Sequence, residues 1–101
     1  MNKGYWIVRV DIKNKDSFLN YVNNNSEALK KYNAKYLVRA GKYDAVEGST
    51  RSRNTILEFP SYQAALECWN SPEYQKAKVL REGAAEIDIV IIEGYDAEQA
   101  S

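Results

Sequence analysis

The chain has 101 residues, enough for one domain and too few to fill a second core. Fourteen basic and fourteen acidic residues cancel, so no overall field recruits nucleic acid or an anionic membrane, and neither is expected as a partner. Hydrophobic residues make up 45% and charged residues 28%, the make-up of an ordinary globular domain, and the longest apolar run, Ile89 to Ile92, cannot span a bilayer. The first residues lead straight into a strand-like pattern with no signal-peptide apolar region, so the expected location is the cytoplasm.

What is missing narrows the chemistry further. The sequence contains no histidine, which removes the commonest general base, the commonest metal ligand and the usual proximal haem ligand. Its single cysteine, Cys68, can form neither an intrachain disulfide nor a cysteine-rich zinc site. Serine–histidine and cysteine–histidine nucleophiles are therefore excluded. Catalysis, if any, runs on carboxylates, tyrosines, lysines, arginines or the backbone, and no cofactor or metal is expected.

In chain order, Gly4 to Ile12 alternates as a strand, with Trp6, Val8, Val10 and Ile12 on an apolar face and Tyr5, Ile7, Arg9 and Asp11 on a mixed one. Asn14 is a suitable N-cap for an amphipathic helix over Lys15 to Tyr32, with Phe18, Tyr21, Val22, Ala28, Leu29 and Tyr32 at helical spacing. Asn23, Asn24 and Asn25 weaken its middle, and Asn33 suits a left-handed stop. A second strand is expected over Lys35 to Ala40, with Lys35, Leu37 and Arg39 on one face. It bends at Gly41 and continues through Tyr43 to Glu47. A turn-rich stretch, Gly48 to Ser52, leads to a third strand over Arg53 to Phe59. Pro60 ends it, Ser61 caps a helix over Tyr62 to Asn70, and Ser71-Pro72 opens another from Glu73 to about Ala84. The last strand, Ile87 to Gly94, is nearly continuous in isoleucine and valine, as for a strand covered on both faces.

The order strand, helix, strand, strand, helix pair, strand predicts an α+β fold of the ferredoxin-like split βαβ type: a four-stranded antiparallel sheet with helices on one face. Residues 1–95 form this single domain and 96–101 a polar tail. The uncovered face would expose valine and isoleucine, too large a patch for a monomer. A two-fold homodimer, closed sheet against sheet, follows as the expectation.

The chain also resembles a known family. The matching residues are Lys3-Gly4-Tyr5-Trp6, Tyr36-Leu37-Val38-Arg39-Ala40-Gly41 and Glu47-Gly48, then Glu58-Phe59-Pro60-Ser61, Ala64-Ala65, Asn70-Ser71-Pro72-Glu73-Tyr74 and Glu93-Gly94. In that order they resemble the domain-of-unknown-function family numbered thirteen-thirty, within the dimeric α+β barrel superfamily. Asn33-Ala34, where a glycine pair is usual, and Asn14-Lys15, where Asp-Pro is common, depart from it. The resemblance implies a dimer of ferredoxin-like protomers but no agreed reaction; cousins include cofactor-free monooxygenases, lactone isomerases and haem enzymes. Without histidine, a histidine-ligated haem does not fit this chain.

Glu58 stands alone in an apolar strand. Either it forms a structural pair with Arg39 on the neighbouring strand, or its surroundings raise its pKa and make it a catalytic acid or base. Arg39 and Arg53 could orient an anionic substrate through bidentate contacts. Against that stands a solvated loop in which Arg51, Arg53 and Lys42 are balanced by Asp44 and Glu47. Tyr5, Tyr36, Trp69 and Tyr74 are either pocket walls between sheet and helices or simply core. Cys68 is expected to face away from the Ala65–Trp69 stripe or sit at its margin, as a structural thiol. The open functions are a cofactor-free isomerase or monooxygenase acting on a small organic acid or phenol-like compound, a non-catalytic small-ligand-binding or stress-related module, and a structural dimer.

Overall fold

The first strand, β1 (Gly4–Ile12), is the middle of the molecule in every sense. In the computed structural model, which describes residues 2–95, it pairs antiparallel with β3 (Arg53–Phe59) on one side and with β4 (Ala85–Glu93) on the other. The edge strand β2 (Lys35–Arg39) pairs antiparallel with β3, giving the order β2-β3-β1-β4. Helix α1 (Lys15–Lys31) and the shorter α2 (Tyr62–Asn70) and α3 (Pro72–Val79) complete the β-α-β-β-α-β order. This is the ferredoxin-like α+β fold expected from the sequence. The expected tail, 96–101, lies outside the described residues.

The caps are those the sequence signals. Asn14 Oδ1 accepts from the Ser17 amide at 3.1 Å, and Ser61 Oγ accepts from the Ala64 amide at 3.0 Å. Ser71 serves two helices at once: its hydroxyl donates to the Cys68 carbonyl at 2.7 Å, ending α2, and accepts from the Tyr74 amide at 3.1 Å, starting α3. Asn33 takes the left-handed φ of 60° that stops α1, which runs unbroken through its three asparagines.

Alternation then sorts the sheet into two faces. Trp6, Val8 and Val10 of β1, Thr55, Leu57 and Phe59 of β3, and Ile87, Ile89 and Ile91 of β4 turn toward the helices. Trp6 is the centre of this core, with ring centroids 5.1 Å from Phe59, 6.0 Å from Trp69 and 5.0 Å from Tyr74. Its indole N–H donates to the Ala65 carbonyl at 3.0 Å, so the buried nitrogen is satisfied while the ring packs. Tyr5, Ile7, Arg9, Ile56, Glu58, Val90 and Ile92 occupy the opposite, open face.

The structure departs from expectation in four places. The strand expected over Tyr43 to Glu47 is absent: Ala40 turns to φ 51°, and residues 40–52 form an irregular connection. Helix α3 ends at Val79 rather than near Ala84, because the chain turns through Gly83 at φ 74° to enter β4. That strand is an edge, and within the described protomer its open-face residues Val90 and Ile92 are half exposed rather than covered. Cys68 is fully buried in the core rather than facing away or at its margin, with its thiol directed to the Ala28 carbonyl at 3.7 Å and its pKa pushed up by burial to about 12.

Gly4 sits where β1 passes under the start of α2, and a Cβ there would lie 2.5 Å from the Ser61 carbonyl oxygen and 2.6 Å from the Tyr62 Cα. Both are backbone atoms that cannot swing aside. Gly4→Ala is expected to destabilise the fold by about 1–3 kcal/mol, the usual cost of overpacking. Urea denaturation checks this, and an unchanged midpoint would show that the strand–helix approach is looser than described.

Candidate functional site

A β-bulge decides which side chains share a site. Lys35 lies opposite Glu58 and Tyr36 opposite Leu57, but Val38, not Leu37, then lies opposite Ile56, with Arg39 opposite Thr55. The extra residue, Leu37, reverses the alternation of β2. Arg39 therefore shares the helix side of the sheet with Tyr36 and Thr55, while Glu58 is on the open side. The expected Glu58–Arg39 pair does not form.

On the open side, Glu58 accepts from the Tyr5 hydroxyl at 3.3 Å and lies 3.9 Å from the Lys3 ammonium. Tyr5 thus belongs with Glu58 and not to a pocket between sheet and helices; its hydroxyl is held above its ordinary pKa, by burial first and then by the Glu58 charge. Arg51 is not balanced by Asp44 and Glu47 either. It reaches over the end of the sheet to Asp88 at 2.7 Å, Asp11 at 3.0 Å and Glu86 at 3.2 Å, clasping the connection after β2 onto β1 and β4. Those contacts raise the Arg51 pKa further, Asp88 foremost.

On the helix side, a cavity of about 50 Å³ lies between α1 and the sheet. Its walls are mainly apolar, among them Trp6, Val8, Phe18, Val22, Leu57 and Ile89. Five polar residues interrupt them: Tyr21 and Asn25 from α1, Tyr36 from β2, and Arg53 and Thr55 from β3. Asn25 and Thr55 are buried at 7% and 8% exposure, and neither side chain has a hydrogen-bond partner among the described residues. Arg53 lies over the Phe18 ring at 5.7 Å, and Arg39 over the Tyr36 ring at 4.3 Å. Among the described residues neither guanidinium has a carboxylate partner.

Of the sequence-chosen residues, the cavity brings together Arg53 and, through Tyr36, Arg39. Tyr74 is fully buried beside Trp6 rather than lining it, and Trp69 packs against Tyr74 at 5.2 Å with Lys78 over its ring at 5.9 Å. Glu58 and Tyr5 lie across the sheet. Asn25 is legible from the spacing Phe18, Tyr21, Val22, Asn25, Leu29, which puts it on the buried stripe of α1. Thr55 likewise shares the face of Leu57 and Phe59. A polar residue at a core position was the available signal.

A family model matches residues 3–95. The chain belongs to the family described as "Domain of unknown function (DUF1330)". A comparison with curated proteins finds no match. Among solved structures, the DUF1330 chain is similar to a protein of unknown function from Rhodopseudomonas palustris, with TM-score 0.73 and 14% identity over 94% of this chain and 84% of that one. SnoaB, a cofactor-independent oxygenase from Streptomyces nogalater, matches at TM-score 0.62 and 4% identity over 98% and 99%. A dimeric protein of unknown function and ferredoxin-like fold from Bacteroides fragilis matches at TM-score 0.53 and 17% identity over 91% and 96%. Identities this low establish a shared fold and nothing finer. No helix among the described residues is long and apolar enough to cross a membrane.

The Arg51 clasp has a pH signature. The Ser52 backbone N–H first, with help from Arg51, holds the Asp11 carboxyl below its ordinary pKa; Lys13 and then Arg51 do the same for Glu86. Groups more acidic when folded contribute stability that is full above the ordinary carboxylate range, about pH 4, and is lost as pH falls through and below it. Arg51→Gln is therefore expected to flatten the acid limb of a stability–pH curve while changing its neutral plateau less. Parallel acid limbs in the two proteins would reject the clasp.

Proposed function

We propose that this protein binds a small organic acid or phenol-like compound in the cavity beneath α1 and acts on it without a cofactor, as a homodimer. The observation that carries the reading is the pair Asn25 and Thr55, two polar residues at buried positions that both line the cavity and whose side chains make no hydrogen bond to a described residue. Their polar atoms face accessible space in the cavity, so a ligand there can hydrogen-bond to both. The volume suits a carboxylate or phenol oxygen with its nearest atoms; the rest of a ligand would extend past Tyr36 toward Arg53 and Arg39. Two unpaired guanidinium groups favour an anion there.

The lining restricts the chemistry. It includes no carboxylate, and the chain has no histidine, so nothing in the cavity serves as a general base. A substrate would have to arrive ionised, or be ionised by the donors around it. An electron-rich phenolate or enolate meets that condition and can transfer electrons to oxygen directly; the Streptomyces nogalater neighbour is described as a cofactor-independent oxygenase. Glu58, the acid–base candidate of the sequence, lies across the sheet from this cavity and has no part in the scheme. A ligand that is bound and left unchanged is the alternative reading.

The dimer reading rests on the open face. Ile7, Ile56, Val38, Val90 and Ile92 line it, and the last three are exposed by 40–50%. A second copy covering this face fits the dimeric description of the Bacteroides fragilis neighbour. Glu58, Tyr5 and Lys3 would border the interface.

Two experiments test these readings. In a thermal-shift screen of aromatic and aliphatic acids and phenols, at least one compound should raise the melting temperature. Arg53→Gln should weaken its binding by about tenfold or more, the loss of one charge-assisted hydrogen bond. Silence across the whole panel sinks the ligand reading. Oxygen consumption with the best binder separates enzyme from binding module. For the dimer, light scattering should give twice the chain mass, and Val90→Glu should halve it without loss of helix content; a wild-type monomer at micromolar concentration overturns it.

A further inference from the structure

One buried cation is unused by that scheme. Arg81, just beyond α3, is half-buried, has no carboxylate partner among the described residues, and its Nε is buried with no hydrogen-bond partner. Its Nη2 donates to the Tyr74 hydroxyl at 3.5 Å, and its guanidinium lies 5.2 Å from the centre of the Tyr21 ring. The Tyr74 and Tyr21 hydroxyls are 2.7 Å apart, and Tyr21 lines the cavity.

The polarity of this chain follows from proton counting. A guanidinium can only donate, so the Tyr74 oxygen accepts from Arg81. If Tyr21 donated to Tyr74, the Tyr74 proton would have no acceptor in a site with no solvent exposure, a costly arrangement. The opposite sense, Tyr74 donating to Tyr21, leaves the spare proton on Tyr21, whose side chain is among those lining the cavity. Each step strengthens the next, because a hydroxyl that accepts from a cation is a better donor. The chain therefore begins at a positive charge and ends at Tyr21, a residue of the cavity wall.

We propose that Tyr21 is a ligand-contacting donor and Arg81 its positioning residue, acting through Tyr74, so that the cavity holds its ligand's second oxygen as a phenolate or enolate rather than as a neutral group. This rests on the ligand reading of the cavity, and it narrows the ligand class to acids and phenols with an ionisable oxygen opposite the end that Arg53 holds. No proton leaves Tyr74 in this arrangement. Burial keeps that hydroxyl far above its ordinary pKa, which suits a transmitter of hydrogen bonding and not an acid.

A chromophoric phenol reads the proposal directly. With 4-nitrophenol, whose phenolate and phenol absorb differently, the wild-type protein should bind the phenolate in preference to the phenol, lowering the apparent pKa of the bound dye. Tyr21→Phe, Tyr74→Phe and Arg81→Gln should each reduce that preference by about tenfold, the loss of one hydrogen bond to a charged group, while neutral-phenol affinity changes little. Three separate variants keep the test open if one fails to fold. A merely structural role for Arg81 would lower the melting temperature and leave the ionisation of the bound dye untouched, and that result overturns the proposal. Benzoate binding with an unshifted bound dye overturns it while sparing the cavity reading. Failure of the wild type to bind benzoate or the dye overturns both.

Discussion

The Trp6 side chain is the interaction on which the rest of the structure depends. It projects from β1, which is paired on both sides, and its ring reaches Phe59 in the sheet and Trp69 and Tyr74 in the two short helices. Its indole N–H ends on the Ala65 carbonyl, which fixes how deep α2 can settle. That depth explains why Gly4 must lack a side chain, since β1 then passes within contact of the Ser61–Tyr62 backbone. It also puts Tyr74 where its hydroxyl meets Tyr21 of α1. One aromatic anchor thereby sets the spacing between the sheet and all three helices.

Much of this architecture could be read from the sequence because it is written in local terms. Asn14, Ser61 and Ser71-Pro72 mark helix starts through hydrogen bonds made within three residues, and those starts are where the sequence puts them. Alternation in β1 and β3 separates Trp6 and Leu57 from Tyr5 and Glu58 without reference to any partner. The bulge at Leu37 has no such signature. It is a property of the pairing between β2 and β3, and nothing in Tyr36-Leu37-Val38-Arg39 announces that one residue will be skipped. A single slip of alternation therefore carried Arg39 from one face to the other and dissolved the pair with Glu58.

The cavity was harder to foresee for a related reason. Its polar residues come from α1, β2 and β3, and each has an ordinary local explanation: Asn25 as a weak helix former, Thr55 as a β-branched strand residue. Only when α1 is laid on the sheet do they meet. The Arg51 clasp is similar, since its three carboxylates come from two strands that are distant in sequence and lie far from Asp44 and Glu47. Charged residues find partners by topology, and composition alone names the wrong ones.

The exposed edge at β2 has a consequence for how the cavity exchanges with solvent. All five of its residues are exposed, it is paired on one side only, and its ladder is interrupted at Leu37. Few contacts resist its separation from β3, whereas β1 and β3 are held on both sides. Opening free energies are lowest in such segments. Tyr36 of β2 is one wall of the cavity, and Arg39 lies on that ring. The least protected strand of the sheet thus also supplies a wall of the cavity beneath α1, and amide exchange at β2 would time the traffic there.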